Sequence, residues 1–194
     1  IEQVRKYADK IDIVQVGSRN MYNYELLKEL SKHNVRVMLK RGLSATYNEW
    51  INAARYLKNE NNVILCERGI RGFDNSTRNI LDIQAIPYIK NNTNYKIIID
   101  PSHAAGNNYM IEPMSLASVA AGCDGLMIEV HDNPNESICD KKQALSIEHS
   151  KEPEELEQQI ININELITDS NTTVKLLTMH NPTSLLRFGE LANY

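Results

Sequence analysis

The sequence has no apolar run near the roughly 20 residues that a membrane-spanning helix requires, so no transmembrane helix is expected. It also lacks a basic excess. The 21 Lys and Arg against 25 Asp and Glu leave a net charge of -4, the wrong sign for a general nucleic-acid binder. No GxGxxG or P-loop stretch follows any apolar run, which weakens a nucleotide-binding reading. Cysteine is scarce: Cys66, Cys123 and Cys139 show no paired spacing, so a reducing, cytoplasmic setting is expected. No signal-peptide pattern opens the chain, where Glu2, Arg5 and Lys6 stand among sparse apolar residues. The first residue is Ile1 rather than Met, and a segment of a longer protein is expected.

What is present is the balance of an ordinary globular domain, with 42% hydrophobic and 24% charged residues. Five short runs rich in Val and Ile recur at 12–17, 35–39, 62–66, 96–100 and 125–130. Near-continuous apolar strands of this kind suit a parallel sheet covered on both faces. Helical patterns lie between them at 23–32, 47–58, 79–89 and 114–121, with Thr46 and Ser76 placed as N-caps and Glu49 completing a capping box with Thr46. A strand–helix repeat of this length belongs to an α/β barrel or a doubly wound sheet. Residues 152–167 read as an amphipathic helix on the outside, with Glu152, Glu154 and Glu155 in its first turn. The expected division is a barrel portion over 1–168 and a tail of unknown role over 169–194.

Polar residues gather just after the strands: Ser18-Arg19-Asn20, Lys40-Arg41-Gly42, Glu67-Arg68-Gly69, Pro101-Ser102-His103, and Glu129 with His131. In a β/α barrel those ends share the face on which chemistry occurs, which favours the barrel over the open sheet. His103, Glu129 and Asp140 are the candidates for a divalent metal site. An imidazole with two carboxylates suits Mn, Fe(II), Co or Zn better than Ca or Mg. Bland alternatives stand beside this: His103 as a hydrogen-bonding loop residue and Asp140 as a helix N-cap. Cys66 and Cys123 read as buried structural residues, and Cys139 as a neighbour of Asp140 with little claim on a metal.

Arg19, Lys40, Arg41, Arg68, Arg71 and Arg78 all follow strand ends in three consecutive units. Cations gathered at one mouth repel one another unless an anion joins them. A phosphorylated, carboxylated substrate is the natural counter-charge. Ser18 and the Gly17 backbone add hydrogen-bond donors. The alternative pairs some of these cations, Arg71 and Arg78 above all, with Glu67, Asp74 or Asp82 as structural ion pairs.

The motifs VGSRNMYN, LKRG, ILCERGIRGF with STRNILDI, IDPSHAAG, and IEVHDNP followed by CDKKQAL resemble the 3-deoxy-7-phosphoheptulonate synthases. The likeness is to the subclass related to 3-deoxy-manno-octulosonate-8-phosphate synthase, and it covers about residues 1–145. It implies a (β/α)8 barrel, here incomplete, with strands four to eight present and the first three absent. It implies metal-dependent condensation of phosphoenolpyruvate with erythrose 4-phosphate, the first step of the shikimate route to aromatic amino acids. By the resemblance, His103, Glu129 and Asp140 are three of four metal ligands, and Ser18, Arg19, Lys40, Arg41, Glu67 and Arg68 bind substrate. Lys40 and His103 carry the catalytic roles. The family's remaining ligand, a cysteine, and its KPRTS-type loop for the aldose phosphate belong to the missing units. The octulosonate synthase, using arabinose 5-phosphate, is the nearest rival, although LKRG and DPSHAAG favour the heptulonate enzyme. A non-catalytic barrel remnant serving as a partner subunit is the reading of a different class. The expected partners are phosphoenolpyruvate and an aldose phosphate, with no nucleic acid, no membrane, and a homo-oligomeric state.

Overall fold

The computed structural model describes residues 1–146 and the strand Lys175–His180. The expected helix at 152–167 lies outside the described residues. The five expected strands are β1 Ile13–Val16, β2 Arg36–Lys40, β3 Val63–Glu67, β4 Lys96–Ile99 and β5 Gly125–His131. Two strands that the sequence reading did not pick out are β6 Leu145–Ser146 and β7 Lys175–His180, both paired with β5. Every pairing is parallel, and β1 to β5 neighbour one another in chain order. A doubly wound sheet reverses its strand order at a switch point. This sheet does not, so the barrel reading holds.

Among the described residues, six α-helices accompany the strands: α1 Glu2–Tyr7, α2 Tyr24–Leu30, α3 Tyr47–Arg55, α4 Ala85–Asn92, α5 Pro101–Ala105 and α6 Ile111–Ala120. None of the described helices is long and apolar enough to cross a membrane. The capping box of α3 forms as expected: Glu49 N–H donates to Thr46 Oγ1 at 3.2 Å, and Thr46 N–H donates to the Glu49 carboxylate at 2.8 Å. Below that cap, Trp50, Ile51, Ala53 and Ala54 are buried, and the Trp50 indole N–H donates to the Leu39 carbonyl at 3.1 Å. Helix and strand are thereby locked together.

The helix expected from residue 79 starts instead at Ala85, and Ser76 caps nothing. The reason is Pro87. A helix begun at 79 would carry it in the interior, where it has no N–H to give and clashes with the preceding turn. Begun at Ala85, the helix holds Pro87 in its first turn, where that N–H is not needed. Residues 78–80 spend their backbone groups elsewhere: Ile70 and Ile80 exchange two hydrogen bonds at 2.9 Å, and Asn79 N–H donates to the Ala104 carbonyl at 2.8 Å. Ser76 N–H donates to the Asp74 side chain at 2.7 Å in a loop turn.

Alternation along the strands assigns each side chain to a face. Val37 and Leu39, Val63 and Leu65, Ile97 and Ile99, and Leu126 and Ile128 join the large core shared with the helices. Met38, Cys66, Ile98 and Met127 form a separate small cluster on the other face. Two residues further along that second face the series continues as Lys40, Arg68, Asp100 and Glu129. Apolar layer gives way to charge at the C-terminal ends of four adjacent strands.

Candidate active site

Two of those charged ends, Lys40 and Arg68, border a cavity of about 580 Å³ lined also by Ser18, Arg19, Arg71, Arg78, His103 and Asp140 among others. Arg68 is the informative cation. It is buried, and it has no carboxylate partner among the described residues. Burial pushes its pKa down, with Asp100 offsetting part of that and Arg78 adding to it. A buried, unpaired guanidinium is costly unless an anion completes it. Arg19 and Arg71 likewise lack a carboxylate partner among the described residues. The Ser18 hydroxyl is buried without a hydrogen-bond partner, the one such side-chain oxygen or nitrogen among the described residues. The cavity therefore holds unspent positive charge and an unspent hydroxyl.

Two of the expected substrate residues stand elsewhere. Arg41 is buried, donating to the Glu67 carboxylate at 2.8 Å, to Asp82 at 2.8 Å and to the Ala45 carbonyl at 2.9 Å. Its guanidinium lies 4.6 Å from the centre of the Tyr47 ring on α3. Glu67 is fully buried, and it also accepts from the Gly69 N–H at 2.7 Å. Neither residue lines the cavity. Strand alternation explains this, because Lys40 and Arg68 take the inner positions and leave Arg41 and Glu67 facing the helices. Of the two arginines considered for structural pairing, Arg78 pairs with Asp140 at 2.7 Å, not with the acids expected.

Gly69 lets the chain turn just after Arg68. Its φ is +91°, and a Cβ there would sit 2.7 Å from the Asn79 Cβ and 2.9 Å from the Ala104 Cα. Only glycine fits this close approach between loop and short helix.

His103, Glu129 and Asp140 come together beside the cations, each offering a ligand atom within 4.8 Å of the others. His103 Nε2 lies 3.8 Å from Glu129 Oε2 and 4.0 Å from Asp140 Oδ2. With metal–ligand bonds of about 2.0–2.2 Å, two ligands of one ion stand about 3–4.3 Å apart, so both separations fit. The elements set this up. Asp100 caps α5 by accepting the His103 N–H at 2.9 Å, and Pro101 occupies the first helical position. One short turn then holds His103 over the cavity. Asp140 adopts a left-handed backbone, φ 54°, and its carbonyl accepts from the Gln143 and Ala144 N–H groups. Its side chain is thus turned toward His103 rather than capping a helix.

Neighbouring groups orient these three side chains. The His103 Nδ1 lies 2.9 Å from the Asp100 carboxylate, leaving Nε2 to face the two acids. The Gln143 amide donates to Glu129 at 2.7 Å, and its oxygen accepts from Arg78 at 2.8 Å. Burial pushes the Glu129 carboxyl up, and Asp140 and Asp100 add to that, while Gln143 and His103 oppose it. Crowded acids of this kind favour a bound cation. For Asp100, burial is outweighed by the His103 hydrogen bond and the Lys40 charge, which hold its carboxyl down to about 2. Asp100 and Gln143 were missed in the sequence, although the spacing of Asp100 three residues before His103 was a usable sign. Cys66 and Cys123 are buried, with burial pushing both thiols up, Cys123 to about 11; Cys139 is exposed and outside the cluster.

The chain is 42% identical over 153 residues to a phospho-2-dehydro-3-deoxyheptonate aldolase of Thermotoga maritima, covering 78% of this chain and 45% of that protein. It is 28% identical over 166 residues to a 2-dehydro-3-deoxyphosphooctonate aldolase of Desulfotalea psychrophila, covering 78% of this chain and 58% of that one. The crystal structure of the Thermotoga maritima DAHP synthase superposes with a TM-score of 0.80 at 38% identity, covering 90% of this chain and 50% of that one. A truncated form of the 3-deoxy-D-arabino-heptulosonate 7-phosphate synthase from the same organism gives 0.77 at 38% identity, over 90% of this chain and 64% of that one. The chain thus spans about half the length of the relatives it matches, and its fold is an incomplete (β/α)8 barrel. The model of the DAHP synthetase I family matches residues 1–165, and the chain belongs to that family.

Proposed function

We propose that this chain is the C-terminal part of a metal-dependent enzyme that condenses phosphoenolpyruvate with erythrose 4-phosphate, giving 3-deoxy-7-phosphoheptulonate and phosphate. The observation that carries the reading is the buried, unpaired Arg68 in a cationic cavity that His103 and Asp140 also line, with Glu129 beside them. A doubly anionic substrate supplies the missing negative charge, and Arg68, Arg19 and Lys40 would grip its phosphate and carboxylate. The Ser18 hydroxyl adds a neutral contact. Held in this way, the enol carbon faces the position of the second substrate, and fixed orientation supplies much of the rate. Preorganised cations also stabilise the negative charge that builds on the departing phosphate.

His103, Glu129 and Asp140 would hold the divalent cation, and their mixed donor set suits Mn, Fe(II), Co or Zn. When bound, that ion polarises or orients the aldehyde of the sugar phosphate. The role of the protein is to hold Nδ1 of His103 against the Asp100 carboxylate so that Nε2 is aimed at Glu129 and Asp140. In this reading the enzyme is cytoplasmic, works on small phosphorylated molecules, and assembles with copies of itself.

The test uses the full-length protein with Mn²⁺, phosphoenolpyruvate and either erythrose 4-phosphate or arabinose 5-phosphate. Loss of phosphoenolpyruvate with the four-carbon sugar, and at least tenfold less with the five-carbon one, is expected. The reverse preference would transfer the reading to the octulosonate reaction. No turnover with either would leave the chain a non-catalytic barrel.

A further inference from the structure

We infer that Asp100 is a positioning residue that ties the anion-binding half of this site to its metal-binding half, an inference that rests on the reading above. Asp100 is fully buried at the end of β4 and meets three nitrogens from two elements. Lys40 Nζ donates to Oδ2 at 2.7 Å. His103 donates its backbone N–H to Oδ1 at 2.9 Å, and its Nδ1 lies 3.0 Å from Oδ1 and 2.9 Å from Oδ2.

A helix cap alone does not require this arrangement. Ser, Thr or Asn would cap α5 as well, since one side-chain oxygen accepting one N–H is enough. What needs a carboxylate is the pair of further partners. Lys40 is buried, and Asp100 is its one ion-pair partner among the described residues. An ammonium carries three donors, so two remain for the cavity that Lys40 lines. Asp100 thus pins the ammonium at the cavity.

The same carboxylate fixes the imidazole. With Nδ1 held 2.9 Å from the Asp100 carboxylate, Nε2 is the ring nitrogen that faces Glu129 at 3.8 Å and Asp140 at 4.0 Å. Such outer partners are worth about 10–100-fold in metal affinity. One side chain therefore serves two ligands of opposite charge, and losing it should weaken both.

The experiment compares the full-length protein with Asp100→Asn, Lys40→Met and the double variant. Each is titrated with Mn²⁺ in the absence of substrates, and with phosphoenolpyruvate in the absence of a sugar phosphate. Thermal unfolding gives the folded fraction. Asp100→Asn is expected to bind Mn²⁺ about 10–100-fold more weakly and to lose phosphoenolpyruvate affinity as well. Lys40→Met should lose phosphoenolpyruvate but keep its Mn²⁺ affinity within twofold of the parent. The double variant has no orphaned buried ammonium, so it keeps the test open should the single variant unfold. It should show the Mn²⁺ defect of Asp100→Asn. A lowered unfolding temperature with both affinities intact would make Asp100 a helix cap only and overturn the inference. Both titrations are independent of turnover, so a parent that binds but condenses no sugar would remove the proposed reaction and leave this result standing.

Discussion

Lys40 and Arg41 are consecutive residues whose charged groups lie on opposite faces of the sheet, one 2.7 Å from Asp100 in the cavity and the other 2.8 Å from Glu67 behind it. The two cations therefore have different jobs, and substitution should separate them.

Arg41→Met is expected to act on stability. It strands the buried Glu67 carboxylate, and breaking a buried pair costs about 3–5 kcal/mol. Burial already pushes the Glu67 carboxyl up, and Arg41 offsets only part of this. Without Arg41 the Glu67 carboxyl should be pushed further up. A raised folded pKa stabilises fully below the unfolded value of 4.5, and that contribution is lost as pH rises through the folded value. Urea midpoints should therefore show a smaller loss at pH 5 than at pH 8. A phosphoenolpyruvate affinity that falls tenfold in protein of unchanged stability would place Arg41 in the binding site instead.

Lys40→Ala and Arg68→Lys are expected to act on the substrate. A charge-assisted hydrogen bond contributes about 1.5–3 kcal/mol, or roughly 10–100-fold in affinity. Lysine at position 68 keeps the charge but loses the planar fork, so it should not rescue. Both variants should raise the phosphoenolpyruvate concentration needed and lower turnover, as read from steady-state kinetics of the full-length enzyme. Near-normal kinetics for both would remove them from the site.

Glu129→Gln should weaken Mn²⁺ binding by more than the roughly 10–100-fold expected for an outer partner. Gln143→Leu, which removes the amide donor 2.7 Å from Glu129, should fall within that range. A chelator should abolish turnover of the parent, and added Mn²⁺ should restore it. Equal Mn²⁺ affinity in the parent and in Glu129→Gln would mean that Glu129 is not a ligand.

Acid stability tests a remote ion pair. Glu29 on α2 accepts from Arg5 of α1 at 2.8 Å and from Lys32 at 2.8 Å, and these bonds hold its carboxyl down to about 2. A depressed folded pKa stabilises above the unfolded value of 4.5, and the contribution is lost as pH falls toward 2. Glu29→Gln should flatten the fall of the urea midpoint between those limits. An unchanged slope would show that the pair contributes nothing in solution.

Strands β1 to β5 were legible because each is a compact run rich in Val and Ile, unlike β6 and β7, and the His103, Glu129 and Asp140 cluster because its residues sit at or just beyond strand ends. Strand alternation is equally present in the sequence and separates the two neighbouring cations. In VMLKRG, Met38 and Lys40 share a face, and Arg41 falls on the other. The start of α4 was also readable, since Pro87 forbids a helix begun at 79. What sequence could not supply was the left-handed backbone at Asp140 and the loop pairing of Ile70 with Ile80, both set by contacts across the fold.

The polypeptide Ile1–Tyr194, taken alone, is predicted not to catalyse the condensation. Among the described residues, β1 pairs only with β2, so its outer edge carries unpaired N–H and C=O groups. The far edge of β5 pairs with β7, and among the described residues no strand joins β7 to β1 to close a ring. A closed barrel needs eight strands, and an open parallel edge invites pairing with other chains. Chemistry suffers independently of folding. The described cluster offers the metal three side chains, and the cationic cavity supplies one anion site on one side only. A second substrate without positioning loses several kcal/mol of barrier reduction. The check is to purify this polypeptide, add Mn²⁺, phosphoenolpyruvate and erythrose 4-phosphate, and follow the loss of phosphoenolpyruvate beside the full-length enzyme. Comparable turnover would refute the prediction and would require residues within these 194 to complete both the metal shell and the sugar site.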